Sequence, residues 1–482
     1  MFNDNILLLT DSYKATHWKQ YPKGTTKVYS YLESRGGKFD NTLFFGLQYF
    51  IKQYLTGKVV TEEKIQKAIK FWDSHLGPNL FNEKGWRHIL NKHNGRLPVR
   101  IKAVPEGTVV KISNVLLTLE NTDPEVPWLT NWLETLILQV WYPTTVATLS
   151  REIKKVLLKY MKNTTSYNTN SIKDIVSFQL HDFGFRGVSS VESAGLGGAA
   201  HIVNFMGTDT VAGILMAQEF YNTENPLAFS IPASEHSTIT SWTKVNEVKA
   251  FENMLDQYPT GLVACVSDSF DIINAVENLW GTQLKEKILN RDGRLVIRPD
   301  SGDPVQTLKR IFHILWDKFG GTTNTKGFKV IDPHVRVIQG DGVNYESIID
   351  ILNMMVNEGF SVENISFGMG GALLQKVDRD TQKFAFKCSS ITIDGKDVDV
   401  RKSPIEINEN GESVQSFKLS KPGRLKLVNG VTITNSTDEE KDQLVEVFLN
   451  GVIKREYTFE EIRERAQLNS FKIKDFESVY GC

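Results

Sequence analysis

The alternation of apolar and polar positions has a rhythm in the middle of the chain. Between Ile175 and Ala372, short apolar runs end again and again in glycine or charged residues. IVSFQL runs into HDFGFRG, HIVNF into MGTDT, FSIPA into SEHST, LVACV into SDSFD, LVI into RPDSGD, VRVI into QGDG and ISFG into MGGA. Apolar runs of this length suit strands buried on both faces. HIVNF fits a helix equally well, which leaves the strand count open. Between several runs the apolar period changes to that of a helix. After Pro304, one face carries Val305, Leu308, Ile311, Phe312, Leu315, Trp316 and Phe319; after GDG, another carries Ile348, Ile349, Leu352, Met355 and Val356. Strands alternating with helices predict a parallel sheet, and about seven such units suit a (β/α) barrel. In such barrels, chemistry sits where the strands end and the loops begin.

The flanks read differently. The first part mixes strand-like pieces, TVVKI and VLLTL, with aromatic-rich helical stretches, and the text after Ser389 is charged and strand-like, with VRKSPIEI, GRLKLV and GVTIT. The polar stretch KNTTSYNTNSIK, Lys162 to Lys173, is the best candidate for a connection. The expected fold class is α/β: a (β/α) barrel-like central domain with a second β-rich α+β domain built from the N- and C-terminal segments. The expected bounds are 1–165 for the N-terminal part of the β-rich domain, 166–390 for the barrel and 391–482 for the segment that completes the β-rich domain.

Composition narrows the function classes. The 482 residues are 40% hydrophobic and 23% charged, with 56 Lys+Arg against 57 Asp+Glu. That balance gives no support to a general nucleic-acid binder, and an anionic substrate has to be held by a few local cations. No apolar run approaches the ~18 residues of a membrane span, and the N-terminus lacks the basic stretch of a typical signal peptide. Three cysteines, Cys265, Cys388 and Cys482, are an odd number without metal-like spacing, which points to a reducing compartment and no disulfide framework. The expectation is a cytoplasmic protein without nucleic-acid or membrane partners. There is no Walker A motif and no Cys/His metal cluster along the sequence. GLGGAA, Gly195 to Ala200, matches G-x-G-x-x-A but follows VSSVESA, which is no buried strand; it reads as a small-residue helix face.

The strand-end residues form one candidate site: Arg186, Asp209, His236, Asp268, Asp271, Arg298, Asp300, Asp341 and the glycines Gly340, Gly370 and Gly371. Arginine binds phosphate in a forked, charge-assisted geometry. Glycine turns let backbone N–H groups approach phosphate oxygens. Carboxylates such as Asp300 and Asp341 hold ribose hydroxyls or water on Mg²⁺. Together they describe a sugar-phosphate substrate with a diphosphate. Beside this stands a blander reading for each Arg–Asp pair, a structural ion pair closing a loop, and for His236 a helix-start or core histidine.

LLLTDSYKATHWKQYP, YSYLESRGGKF, HDFGFRGVSS, GTDTVAG, PASEHSTI, SDSFDI, IRPDSGDP, VIQGDGV, FGMGGALLQKVDRD and KCSS occur in this order nearly end to end. In this, the sequence resembles the nicotinamide phosphoribosyltransferases, type II phosphoribosyltransferases. The resemblance implies a homodimer with active sites at the interface, joining nicotinamide to 5-phosphoribosyl-1-diphosphate to give nicotinamide mononucleotide and diphosphate. It implies that Phe183 stacks on the nicotinamide ring, with Tyr13 from the other subunit on the opposite face, and that Asp209 accepts from the carboxamide. It assigns Asp300, Gly340, Asp341, Gly371 and Arg379 to the ribose and its 5-phosphate, and Arg186, His236 and Arg298 to the diphosphate. Arg35 and Lys387 add charge at the phosphate end across the interface. The catalytic set is His236, Asp300, Arg298 and Asp271. His236 matches a histidine that ATP phosphorylates, with Asp271 as its orienting carboxylate. Mg²⁺ is carried by the diphosphate near Asp300 and Asp341, with no direct protein ligand assigned.

Overall fold

Parallel strands need covered faces and crossover connections, and the chain supplies both after residue 149. The computed structural model describes residues 4–468 except 224–226, 403, 409–410, 416–419 and 437–438; Cys482 lies outside them. The described chain forms two compact units. One gathers Met1–Thr148, Ala217–Thr223 and Asp378–Ala466; the other is chiefly Leu149–Met216 and Glu224–Val377.

The second unit holds six parallel strands in the order Gly207–Thr208, Leu180–Asp182, Ile365–Met369, Val335–Gln339, Asp292–Arg298 and Thr260–Val266. Both edges of this sheet bond to residues 229–234. On one side the Thr208 N–H donates to the Phe229 carbonyl at 3.0 Å and the Phe229 N–H to the Met206 carbonyl at 2.7 Å; on the other, the Ser234 N–H donates to Ala264 at 3.0 Å and the Ala264 N–H to Pro232 at 2.9 Å. The segment therefore closes the sheet into a ring of seven staves in chain order. Pro232 has no N–H to give a ladder, so this stave is made of bridges rather than a regular strand. Inside the ring, Ala264, Val296 and Ile338 pack together with Phe183 and Ile231 against them.

The periodic stripes are the helices that cover the ring. Pro304–Phe319 buries Leu308, Ile311, Phe312, Leu315 and Phe319, and Asp303 caps it by accepting from the Gln306 N–H at 2.8 Å. Proline at the first helical position costs nothing, because its missing N–H would be unpaired there. Tyr345–Asn357, capped by Asn344, buries Ile348, Ile351, Leu352, Met354 and Met355, while Ile349 and Val356 are half-buried.

Two apolar runs resolve differently from their strand reading. The first half of IVSFQL ends the helix Thr169–Ser177, and only Leu180–Asp182 is strand. HIVNF closes the helix Val191–Ile202, and the strand after it is the two-residue Gly207–Thr208. GLGGAA lies wholly in that helix and is buried. A Cβ on Gly213 would stand 2.5 Å from the Gly198 carbonyl carbon, so two helix backbones touch there. The polar stretch after Lys162 ends the helix Trp141–Thr164 and begins the next, which Asn168 caps.

In the first unit, strands from the two ends of the chain share one antiparallel sheet. Thr25–Ser34 lies between Phe384–Ile393 and Val115–Asn121; Val99–Ala103 and Val445–Leu449 continue beyond the latter. Val115–Asn121 is buried throughout, whereas Val99–Ala103 alternates. Trp72, Trp86, Trp128 and Trp132 form an edge-to-face cluster beside it, with ring centroids 5.0–6.0 Å apart in successive pairs.

Candidate active site

The strand Asp292–Arg298 delivers its last side chain at the carboxyl end of the ring. There Arg298 meets Asp300 in a fork, Nε to Oδ1 at 3.0 Å and Nη2 to Oδ2 at 2.8 Å. The pair is largely but not wholly buried. Gly340, at the end of the next stave, lies against it; a Cβ there would sit 3.1 Å from Arg298 Nε and 3.2 Å from Asp300 Oδ1. The guanidinium carbon also stands 5.8 Å from the centroid of the Phe183 ring, within cation–π range. Phe183 follows the strand Leu180–Asp182 and lies flat over Gly368, where an added Cβ would come within 1.9 Å of the ring. Arg298, Asp300, Phe183 and Gly340 thus form one contact group.

Asp209 begins the loop after Gly207–Thr208. Its N–H donates to the Asp182 carbonyl at 2.9 Å, and its exposed carboxylate accepts from the Ser230 hydroxyl on the bridging segment. Asp182, which the sequence reading did not single out, is fully buried below it. Burial pushes its carboxyl up to about 7, Asp209 adds to the rise, and the Gly184 N–H that binds Oδ1 at 2.7 Å opposes it. The neighbouring His181 imidazole is pushed down by burial. Only the doublet HD before FGFRG marked this pair in the sequence.

His236 is the first residue of a short helix that Glu235 caps with a reciprocal box. Its ring is half exposed, and Nε2 lies 3.0 Å from Oδ1 of the buried Asp268. The carboxylate beside the ring is therefore Asp268 and not Asp271, which was expected there. Asp271 is occupied elsewhere: it caps the next helix, its Oδ1 accepting from the Asn274 N–H at 3.0 Å. Burial pushes the Glu247 carboxyl up to about 7, and the charge of Asp271 adds to the rise.

Arg186 is exposed on the turn Phe185–Gly187 and makes no ion pair among the described residues. That turn packs on the glycine loop, since a Cβ on Gly187 would meet Gly371 Cα at 3.4 Å. Asp341 is exposed, and the Gln339 amide fixes its backbone carbonyl at 2.8 Å. Its carboxylate has no partner among the described residues, whereas both oxygens of Asp300 are held by Arg298. Mg²⁺ keeps several waters and takes one or two carboxylates plus substrate phosphates; the unpaired Asp341 carboxylate fits that need, and each Asp300 oxygen keeps a further lone pair beside its bond to Arg298.

Tyr13, Arg35, Arg379 and Lys387 belong to the first unit. Tyr13 is 60% exposed. Arg35 binds Glu33 through Nε at 2.8 Å and leaves one buried Nη without a hydrogen-bond partner among the described residues. Burial lowers the Lys387 ammonium, and Arg35, Lys402 and Arg379 lower it further. Three cations gathered around a half-buried lysine suit an anion. Lys402 was not foreseen, because a lone lysine in a charged stretch carries no sequence signal.

A closed parallel ring with cations, carboxylates and glycine turns at its carboxyl end is the arrangement of a barrel enzyme suited to a phosphorylated substrate. The chain belongs to the nicotinate phosphoribosyltransferase family, whose model matches residues 178–451. Residues 5–101 match the model of the nicotinamide phosphoribosyltransferase N-terminal domain. The chain is 48% identical over 477 residues to a nicotinamide phosphoribosyltransferase of Xanthomonas campestris, covering 96% of this chain and 98% of the relative. It is 33% identical over 513 residues to one of Acinetobacter baylyi, covering 98% and 99%. Among solved structures, it resembles a nicotinate-nucleotide pyrophosphorylase from Pyrococcus furiosus with a TM-score of 0.58 at 16% identity, covering 96% of this chain and 95% of that one. Human nicotinic acid phosphoribosyltransferase aligns with a TM-score of 0.51 at 16% identity, covering 96% and 93%. Among the described residues, no helix is long and apolar enough to cross a membrane.

Proposed function

We propose that the chain joins nicotinamide to 5-phosphoribosyl-1-diphosphate, giving nicotinamide mononucleotide and diphosphate, as the first committed step of reusing nicotinamide for NAD. The observation that carries the choice of base is Asp209, whose N–H is held by the Asp182 carbonyl and whose exposed carboxylate accepts from the Ser230 hydroxyl, in the loop after the stave next to Phe183. A carboxylate there accepts from a carboxamide NH₂. It repels nicotinate, which has no donor to offer.

In this reading Phe183 stacks on the pyridine ring, and Tyr13 of a second copy stacks on the other face. Arg186, His236 and Arg298 neutralise the leaving diphosphate, and Asp300, Gly340, Asp341, Gly371 and Arg379 hold the ribose and its 5-phosphate. Arg35 and Lys387, with Lys402 beside them, supply positive charge to the phosphate end. Bound Mg²⁺ supplies further charge neutralisation on the diphosphate. The ring nitrogen attacks the anomeric carbon as its bond to diphosphate breaks, through an oxocarbenium-like transition state. Nicotinamide is a weak nucleophile, so stabilising the leaving group and aligning the ring carry the rate. His236 accepts the γ-phosphoryl group of ATP, releasing ADP. Asp268 holds the Nε2–H, which leaves the Nδ1 lone pair free to attack.

A product assay tests the reading. Purified protein with phosphoribosyl diphosphate and Mg²⁺ is given nicotinamide or nicotinate, each with and without ATP. Mononucleotide from nicotinamide alone is expected. Product from nicotinate alone would keep the phosphoribosyl transfer and overturn the role of Asp209.

A further inference from the structure

We propose that His88, His93 and Asp123 form a binding site for one divalent transition-metal ion of the Zn²⁺ type, separate from the phosphoribosyl chemistry. Both imidazoles aim Nε2 at a single carboxylate oxygen. His88 Nε2 lies 3.0 Å and His93 Nε2 lies 2.5 Å from Asp123 Oδ2. The three ligand atoms lie within 4.8 Å of one another. Tetrahedral Zn²⁺ with nitrogen and oxygen ligands at about 2.0–2.2 Å needs ligand atoms only slightly more than 3 Å apart, so small side-chain rotations suffice.

The backbone brings the three together from distant places. His88 lies in the helix Glu83–Lys92, which Asn82 caps, and His93 is the residue at its end. Asp123 follows the strand Val115–Asn121 and is 3% exposed. Its Oδ1 accepts from the Glu125 N–H at 2.9 Å, and its backbone carbonyl from the Asn121 amide at 2.8 Å, so the carboxylate is fixed before any ion arrives. Outer contacts of this kind orient a ligand.

Hydrogen bonding alone accounts poorly for the cluster. Lys92 Nζ also stands 3.0 Å from Oδ2, so three donors crowd one oxygen that has two lone pairs. Each imidazole is about a quarter exposed, and neither Nδ1 has a protein partner among the described residues. Each ring is free to carry its proton on Nδ1 toward water and turn an Nε2 lone pair inward. Lys92 is more than half exposed and can swing away. His88 also lines a cleft of about 710 Å³ with Trp18, Asp73 and Arg87, which gives an ion and its water a way in. Two histidines and one carboxylate leave the fourth position to water, the pattern of an open rather than a closed zinc site.

The test uses the untagged full chain, stripped with a chelator and titrated with Co²⁺ and Zn²⁺. Co²⁺ in a tetrahedral nitrogen–oxygen site gives intense visible bands that its hydrated form lacks. One equivalent with such bands is expected, displaced by Zn²⁺. In the double variant His88→Gln, His93→Gln, which keeps hydrogen-bond donors to Asp123, the affinity is expected to fall by more than the about 10–100-fold that an outer contact costs. Asp341→Asn, at the barrel mouth, is expected to keep the bands. Lys92→Ala is expected to bind several-fold tighter, because a competing cation is gone. Absent bands in the parent, equal bands in the histidine variant, or no tightening in Lys92→Ala would overturn the site.

Discussion

Arg298 and Asp300 are joined by two parallel hydrogen bonds two residues apart in sequence, at the point where a buried strand leaves the ring. The fork orients the guanidinium plane, and Gly340 lets the next stave approach it closely. A lysine keeps the charge but cannot make the planar fork. Arg298→Lys is therefore expected to lower kcat/KM by about 10²–10³, the range for losing one aimed donor to developing charge. Circular dichroism should show the fold intact. A loss below tenfold would mean that charge alone, and not the fork, is what the site uses.

Gly368 is a seat for Phe183 and has no other evident reason to be glycine, since its φ lies outside the left-handed region. Gly368→Ala places a methyl carbon within 1.9 Å of the ring and must displace it. Aromatic pairs contribute about 0.5–1.5 kcal/mol beyond area burial, so the KM for nicotinamide is expected to rise about three- to tenfold. The KM for phosphoribosyl diphosphate should change little. Equal increases in both would show that the substitution disturbs the whole mouth.

Much of this site was legible because parallel barrels put function at the ends of apolar runs. LVI into RPDSGD located Arg298 and Asp300 together, and the stripe from Leu308 to Phe319 located the covering helix. The stave at 229–234 was visible only as FSIPA, and nothing in those residues says that they bond both edges of a sheet. HIVNF stayed open between helix and strand because a helix packed through glycines is as apolar as a strand. The choice between Asp268 and Asp271 could not be made from SDSFD, where two carboxylates stand three residues apart. The backbone decides, sending one to the strand end and the other to a helix cap. The cluster of His88, His93 and Asp123 escaped because its carboxylate is 30 residues away from the nearer histidine along the chain.

Asp268 and Asp271 can be separated by experiment. Asp268→Asn keeps the shape beside His236 but removes the charge that would stabilise a phosphorylated imidazole. ATP stimulation is expected to disappear while ATP-independent synthesis persists, as for His236→Ala. Asp271→Asn retains a capping side chain and is expected to keep most of the stimulation. The reverse pattern, read as product formed with and without ATP, would restore Asp271 as the orienter.

Asp182 sets a pH dependence with a definite sign. Its carboxyl titrates near 7 in the fold, against 3.8 for the unperturbed group, chiefly because it is buried. The folded chain therefore holds this proton when the unfolded chain has lost it. The stability contributed by the protonated acid is complete below about pH 4 and is lost as pH rises through about 7. Asparagine cannot titrate, and its Oδ1 can still accept from the Gly184 N–H. The melting temperature of Asp182→Asn minus that of the parent should thus increase from about pH 5 to about pH 8, since all other groups cancel in the difference. A shift of about three pKa units bounds the effect at about 4 kcal/mol, and relaxation around the charge reduces it. The same asparagine should loosen Asp209 little, because that contact runs through the Asp182 backbone carbonyl. A difference that is flat across this range would mean that Asp182 is already ionised in the fold, and that water or a cation reaches the oxygen that has no hydrogen-bond partner among the described residues.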